Sequence, residues 1–281
     1  MTTAGNCFKI GKQPDSPEKA FVKHRLWLYN TRVMRLNKFI AESGICSRRE
    51  ADRLIEEGRI TVNGVPAQQG MQVEETDTVL ADGKLLKRSE ERMLVFYKPA
   101  GVVCTDSEKD HAVTVREYLK QKEHLFCVGR LDKESEVLLL LTNMGDLAEK
   151  IARAGDVHEK EYVVVCRRPL SGAFIDRMRR GVTIRIPANR STTGAEEEYT
   201  TRPCRVDRLD DRTFRIILTE GKNRQIRRMC EALGNKVESL KRVRIMNILL
   251  GDLERGAARE AEPEELNTLK KLAGAGEITE K

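Results

Sequence analysis

Residues 137–142 of this chain read Val-Leu-Leu-Leu-Leu-Thr. An apolar run of that density forms a buried strand and commits the chain to a sheet with a core around it. Directly before it stand Gly129, Arg130, Leu131, Asp132, Lys133, Glu134, Ser135 and Glu136. A plain turn would serve to enter a core strand, so the crowding of charge at its mouth calls for another reason.

The 281 residues suffice for one large domain or two smaller ones. With 40% hydrophobic and 34% charged residues, the sequence reads as globular, and no apolar stretch approaches the roughly 18 residues of a membrane helix. The first residues lack the pattern of a signal peptide. Seven cysteines stand at 7, 46, 104, 127, 166, 204 and 230. They are odd in number and form no CxxC pair, which argues against a zinc site or a disulfide framework and for a reducing cytoplasm. The net charge of +7 suits a polyanionic partner.

Residues 1–33 show no period and read as an irregular extension. Leu36, Phe39 and Ile40 then give a short helix within 35–41. Ser47 and Glu50 fit a capping box that opens a second helix, with Ala51, Leu54 and Ile55 inward and Gly58 as its stop. Asn63-Gly64 between Ile60–Val62 and Val65 predicts a hairpin, and Asp82-Gly83 a second turn after strands near Val73 and Val79. This is an αα-β module over 34–84. Residues 85–92 read as a charged linker. From 93 to 262 strand-like runs (93–97, 125–128, 137–142, 161–166, 204–209, 213–219, 245–250) alternate with helical ones (113–121, 145–153, 171–180, 223–233). That alternation predicts a second domain of mixed α and β type. Residues 186–200 read as a polar loop and 263–281 as a polar, partly helical tail.

Chemistry concentrates in four places. Arg48 and Arg49 open a helix, against the dipole preference, and with Arg35, Lys38 and Arg53 they make either a phosphate-binding face or an ordinary solvated surface. Asp132 is a turn former, a salt-bridge partner, or a carboxylate held in a partly dry cleft where it can attack carbon or stabilise a cation. Arg130 falls on the same side of an extended chain as Asp132. Lys160 and Tyr162 share one face of a strand, where Tyr162 offers a flat surface for a base or simply packs in the core. Arg224, Arg227 and Arg228 lie in the first turns of a helix whose buried stripe is Ile226, Met229, Cys230 and Leu233. Arg227 either pairs with Glu231 or meets a carboxylate or phosphate.

Taken in chain order, Gly129-Arg130-Leu131-Asp132, then Lys160-x-Tyr162, then Asn223-Arg224-Gln225-Ile226-Arg227-Arg228-Met229 resemble the three motifs of the small- and large-subunit ribosomal RNA pseudouridine synthases. The module at 34–84 resembles the S4 RNA-binding domain that precedes their catalytic domain. The resemblance covers about 34–255. It implies an α+β protein of two domains, the catalytic one at 93–262 built on a mainly antiparallel mixed sheet. It implies Asp132 as nucleophile, Tyr162 against the target base and Arg227 paired with the aspartate. Arg130, Leu131, Lys133, Lys222, Asn223, Arg224 and Gln225 would meet RNA, joined by Arg35, Lys38, Arg48, Arg49 and Arg53 of the S4-like module. No metal or cofactor is implied. The expected substrate is a stem-loop of large-subunit ribosomal RNA, with a transfer RNA as a second substrate, and a monomer suffices.

Two positions depart from the family pattern. Val137 stands where a glycine is usual, and valine would be strained there if the site needs a positive φ. Glu134 replaces the usual aspartate. Two other functions compete with this one: a non-catalytic RNA-binding assembly protein of the same fold, and a glycosylase releasing free uracil. Asp132, Tyr162 and Arg227 together argue against the first, and nothing in the sequence suggests the activated water needed by the second.

Overall fold

Two dipeptides shape the first part of the chain. Asn63 (φ 51°) and Gly64 (φ 81°) both take the left-handed backbone of a type I′ turn, as do Asp82 (φ 48°) and Gly83 (φ 75°). In the computed structural model, which describes residues 33–104, 112–129, 131–153, 158–188 and 195–274, these turns link a four-stranded antiparallel sheet of order β3-β2-β5-β6. Its strands are β2 (Ile60–Val62), β3 (Val65–Pro66), β5 (Val79–Ala81) and β6 (Lys84–Leu85). A separate pair, β1 (Met34–Arg35) with β4 (Gln72–Val73), lies beside helices α1 (Leu36–Glu42) and α2 (Arg48–Glu56) in sequence. The α2 helix buries Ala51 and Ile55 and ends at Gly58 (φ 69°). Residues 84 and 85, expected at the edge of a linker, are thus paired in a strand.

The chain divides into two compact units, one with the described residues through Ile40 and Arg48–Lys87, the other with Ala41–Ser47 and those from Arg88 onward. The second unit is built on a sheet of order β13-β14-β10-β15-β9-β7-β17. These strands are β7 (Met93–Lys98), β9 (Glu136–Thr142), β10 (Lys160–Cys166), β13 (Arg205–Arg208), β14 (Thr213–Leu218), β15 (Val237–Ile245) and β17 (Ala258–Glu260). Short strands β8 (Phe126–Cys127) and β16 (Ile248–Leu249) pair with β9 and β15. Among the described strands every pairing is antiparallel except β9 with β15. The sheet is therefore mixed and mainly antiparallel, as expected.

The leucine run is buried on both faces of β9. Leu138 and Leu140 join Met93, Val95 and Ile151 on one side, and Leu139 and Leu141 join Leu94 and Phe96 on the other. Alternate side chains thus feed two separate cores, which is why no polar face appears in the sequence. Leu138, Leu139 and Leu140 are fully buried, each stabilising by roughly 1.5–3 kcal/mol. Helices α5 (Gly172–Arg180) and α6 (Gln225–Ala232) cover the other half of the sheet through Phe174, Met178, Ile226 and Met229. The remaining helices, α3 (Val115–Leu119), α4 (Gly145–Ala152) and α7 (Pro263–Leu272), flank β7 and β9. No described helix is long and apolar enough to cross a membrane.

Three expectations change. Residues 237–245 form the nine-residue strand β15, whose Lys, Arg and Glu side chains hid its pattern. The expected polar loop at 186–200 holds strands β11 (Thr183–Pro187) and β12 (Glu196–Thr200), which pair with each other; residues 189–194 lie outside the described ones. Helix α7, placed in a polar tail, sends Leu269 into the core beside Leu147 and Ile151. The N-terminal reading falls outside the described residues except for Val33.

Candidate active site

The sheet register lays Val137, Arg242, Tyr162 and Ile216 side by side across β9, β15, β10 and β14. The start of β9, the start of β10 and the loop after β14 therefore meet at one place. A cavity of about 230 Å³ opens there, lined by Leu131, Asp132, Lys160, Tyr162, Arg227 and Arg242 among others. The three stretches singled out in the sequence are brought to one pocket by topology.

Asp132 stands in the loop before β9. Gly129 (φ 80°) turns the chain into this loop, a backbone that a side chain would strain. Further along, Gly101 N–H donates to Lys133 O at 2.8 Å. The 99–102 turn is pinned in turn by the fully buried Lys98, whose ammonium donates to Pro99 O (2.8 Å) and Val102 O (2.9 Å). Burial pushes the Lys98 amine below its ordinary value, while Cys104 and Asp132 act the other way. Ser135 N–H closes the loop onto Asp132 O at 3.2 Å.

Two arginines approach the Asp132 carboxylate, whose side chain is 30% exposed. Arg224 Nη1 donates to Oδ2 at 3.5 Å and also lies 3.4 Å from Glu134 Oε2. Arg227 Nε lies 3.8 Å from the same Asp132 oxygen, and Arg227 Nη2 donates to Ser135 Oγ at 3.4 Å. Arg227 is the more sequestered of the two, at 12% side-chain exposure against 39%. The pairing expected of Arg227 is present, and Arg224, expected only on RNA, shares it. Arg224 sits at φ 50°, ψ 32°, the left-handed conformation, as the residue that starts α6. A non-glycine residue held there costs on the order of 1–3 kcal/mol and persists only where its surroundings fix it.

Tyr162 is half-buried against the α5 and α6 core and faces the same cavity as Asp132. Burial pushes the Lys160 ammonium below its usual value, and nearby Arg242 adds to this. Arg242, outside the three motifs, is buried and donates from Nε and Nη2 to Leu138 O at 2.9 and 2.7 Å. It bolts β15 to β9 at their parallel seam.

The remaining expectations divide. Leu131 lines the cavity and Lys133 is exposed beside it. Lys222 sits with its Nζ 4.2 Å from the centre of the Tyr199 ring. Asn223 is exposed and accepts a hydrogen bond from Arg228. Gln225 is buried at the edge of the same cavity, donating to Glu220 Oε1 at 2.8 Å and accepting from Lys222 N–H at 3.0 Å. Its amide serves the loop rather than an exposed surface. Arg130 lies outside the described residues. In the first unit Arg35, Arg48 and Arg49 are exposed, Lys38 is half-buried, and Arg53 is paired with Glu50. Val137 lies in extended strand, buried and paired with Lys98 and Arg242; the non-glycine residues of positive φ among those described are Asn63, Asp82, Lys120, Arg224 and Met246. The strain expected of valine at this position does not arise.

A carboxylate flanked by guanidinium groups, in a pocket floored by a tyrosine, is equipped to attack or stabilise a sugar carbon while a base is held. The family profile described as RNA pseudouridylate synthase matches residues 92–232, and the S4 domain profile matches 34–79. The chain belongs to the RNA pseudouridine synthase family. It is 44% identical over 244 residues to the dual-specificity RNA pseudouridine synthase RluF of Escherichia coli K12, covering 85% of this chain and 79% of that protein. It is 34% identical over 250 residues to the ribosomal large subunit pseudouridine synthase B of Bacillus subtilis, covering 86% and 98%. A solved pseudouridylate synthase superposes with a TM-score of 0.58 at 28% identity, over 84% of this chain and 99% of the other. In this pseudouridine synthase the S4 match falls on the small αα-β unit and the catalytic match on the mixed sheet.

Proposed function

We propose that this pseudouridine synthase isomerises one uridine in a stem-loop of large-subunit ribosomal RNA, with Asp132 as the nucleophile. The observation that carries the reading is the convergence of Asp132, Tyr162 and Arg227 on one cavity of about 230 Å³. The C1′–N1 bond of the target breaks, the uracil turns while still enclosed, and a C1′–C5 bond forms. The hydrogen displaced from C5 leaves and N1 ends protonated, so the product is an isomer of the substrate. Asp132 acts at the sugar, either by adding to it or by assisting glycal formation. Tyr162 lies against the base, and Arg224 and Arg227 hold the carboxylate in place. Reaching this pocket requires the nucleotide to leave its stack. Arg130, Lys133, Lys222 and Asn223 are assigned to the RNA around the extruded nucleotide. The Escherichia coli relative is a dual-specificity enzyme, which supports a second substrate here, for which we propose a transfer RNA. None of the six described cysteines forms a disulfide, which supports placing the enzyme in a reducing cytoplasm.

Mapping pseudouridines in ribosomal RNA from a strain lacking the gene, and from the same strain complemented, tests the assignment. One large-subunit site should disappear and return; retention of every site in the deletion strain would overturn it. A second expected result concerns the S4-like unit. Replacing Arg48 and Arg49 together by alanine should weaken RNA binding and make log K less steep in log salt by about 0.7–0.9 for each phosphate left without its arginine. Fluorescence titration over a salt series reads this directly, and an unchanged slope would leave these arginines as solvated surface.

A further inference from the structure

Glu220 follows the end of β14 and is 4% exposed. Its carboxylate is enclosed by donors: Gln225 Nε2 at 2.8 Å and Arg202 N–H at 3.0 Å on Oε1, and the Tyr199 hydroxyl at 2.5 Å on Oε2. The Arg202 guanidinium lies 3.8 Å away. Gln225, itself buried, passes the restraint on by accepting from Lys222 N–H at 3.0 Å, and Gln225 N–H donates to Lys222 O at 3.2 Å. The Lys222 ammonium caps the Tyr199 ring. The network therefore grips residues 221–224 from both ends. That segment includes Arg224 in its left-handed conformation and leads into Arg227 one turn later. Arg224 reaches Asp132 from this loop, and Arg227 does so from the first turn of α6.

We propose that Glu220 is a positioning residue for the isomerisation. It fixes the 221–224 loop against Tyr199 and Arg202, which flank the end of β12, and so sets where Arg224 and Arg227 meet the Asp132 carboxylate. The inference rests on the functional reading above. Glu220 itself need not touch the RNA: its oxygens are occupied by protein donors. The hydrogen bond to Glu220 also raises the Tyr199 phenol above its usual value, burial adding to it, in keeping with a hydroxyl committed as donor. A buried carboxylate with this many donors also serves folding, so the test must separate rate from affinity and from stability.

Pseudouridine formation is measured as release of tritium from C5 of uridine-labelled large-subunit ribosomal RNA, with thermal melting as the control for folding. Glu220→Ala should lower the single-turnover rate by about 10- to 100-fold, as misplacing a catalytic constellation by about 1 Å does. KM and RNA affinity should move less than about three-fold if ground-state binding is untouched. Glu220→Gln should recover most of the rate, since Oε1 still accepts from Gln225 and Arg202 while the Tyr199 hydroxyl can turn to accept from the amide. Wild-type rates in Glu220→Ala, or a loss confined to KM, would overturn the proposal. If Glu220→Ala does not fold, Tyr199→Phe decides: a several-fold slower rate at unchanged KM supports it, and wild-type kinetics sinks it. Hydrogen exchange of amides 221–224 gives a readout independent of turnover. It should accelerate in Glu220→Ala even if the chosen RNA is not the substrate, and unchanged exchange would remove Glu220's role without touching the assignment of the reaction.

Discussion

Asp132→Asn is expected to stop pseudouridine formation, lowering the rate by at least about 1,000-fold, or about 4 kcal/mol of transition-state stabilisation. The amide keeps the shape of the carboxylate but cannot add to the sugar or stabilise developing positive charge at C1′. RNA affinity should stay within about three-fold of wild type, because removing an interaction made only in the transition state leaves ground-state binding in place. The residue is 30% exposed and sits in a loop held by backbone bonds from Gly101 and Ser135, so folding does not depend on its charge. Tritium release and a binding titration on the same RNA separate the two quantities. Turnover within ten-fold of wild type would end the role of Asp132 as nucleophile.

The second large effect is expected at Arg227. Its guanidinium spans two loop partners, Asp132 and Ser135, from one helix position. Arg227→Lys should cost about 10- to 100-fold in rate, since a lysine's point charge cannot both donate to Ser135 and hold its charge beside Asp132 as the planar guanidinium does. Arg227→Ala should cost more in rate, at least about 100-fold, because the group is mostly buried and its loss leaves Asp132, among the described residues, with the exposed Arg224. Thermal melting should fall in Arg227→Ala, by an amount matching about 1–3 kcal/mol for the hydrogen-bonding partner left unsatisfied. If alanine at 227 turned over as fast as arginine, the clamp on the carboxylate would have to be assigned to Arg224 alone.

What could be read from the sequence follows from how local each feature is. The leucine run gave β9, and the Asn-Gly and Asp-Gly pairs gave their hairpins, because each depends on adjacent residues. Asp132, Tyr162 and the 223–229 helix start could be singled out because each lies in a short contiguous motif, and the structure brings them to one cavity. Strand β15 was missed because its charged side chains are consumed by distant partners: Arg242 by Leu138 O and Arg244 by Glu159 and Glu161. Glu220 was missed for the same reason, since nothing next to it announces that Tyr199, Arg202 and Gln225 will enclose it. Gln225 was given to RNA through the family motif, which does not show that its amide would also be bonded to Glu220 and Lys222. Glutamine at the first position of a helix has no pattern that tells which way it faces. Val137 looked strained because a glycine is usual there, but the extended backbone of β9 accepts a β-branched residue readily.

The outer strand β17 pairs with β7, although one is made late and the other early in the catalytic half of the chain. Bringing them together means closing a long stretch of polypeptide before that pairing is rewarded, which favours slow assembly. While the polypeptide is emerging from the ribosome, β7, with Leu94 and Phe96, has no neighbour on that flank. Such an unpaired apolar rim is where chains stick to one another. The three residues Ala258–Glu260 thus act as a late-arriving seal, and a shortened product that lacked them would be expected to aggregate rather than merely lose activity.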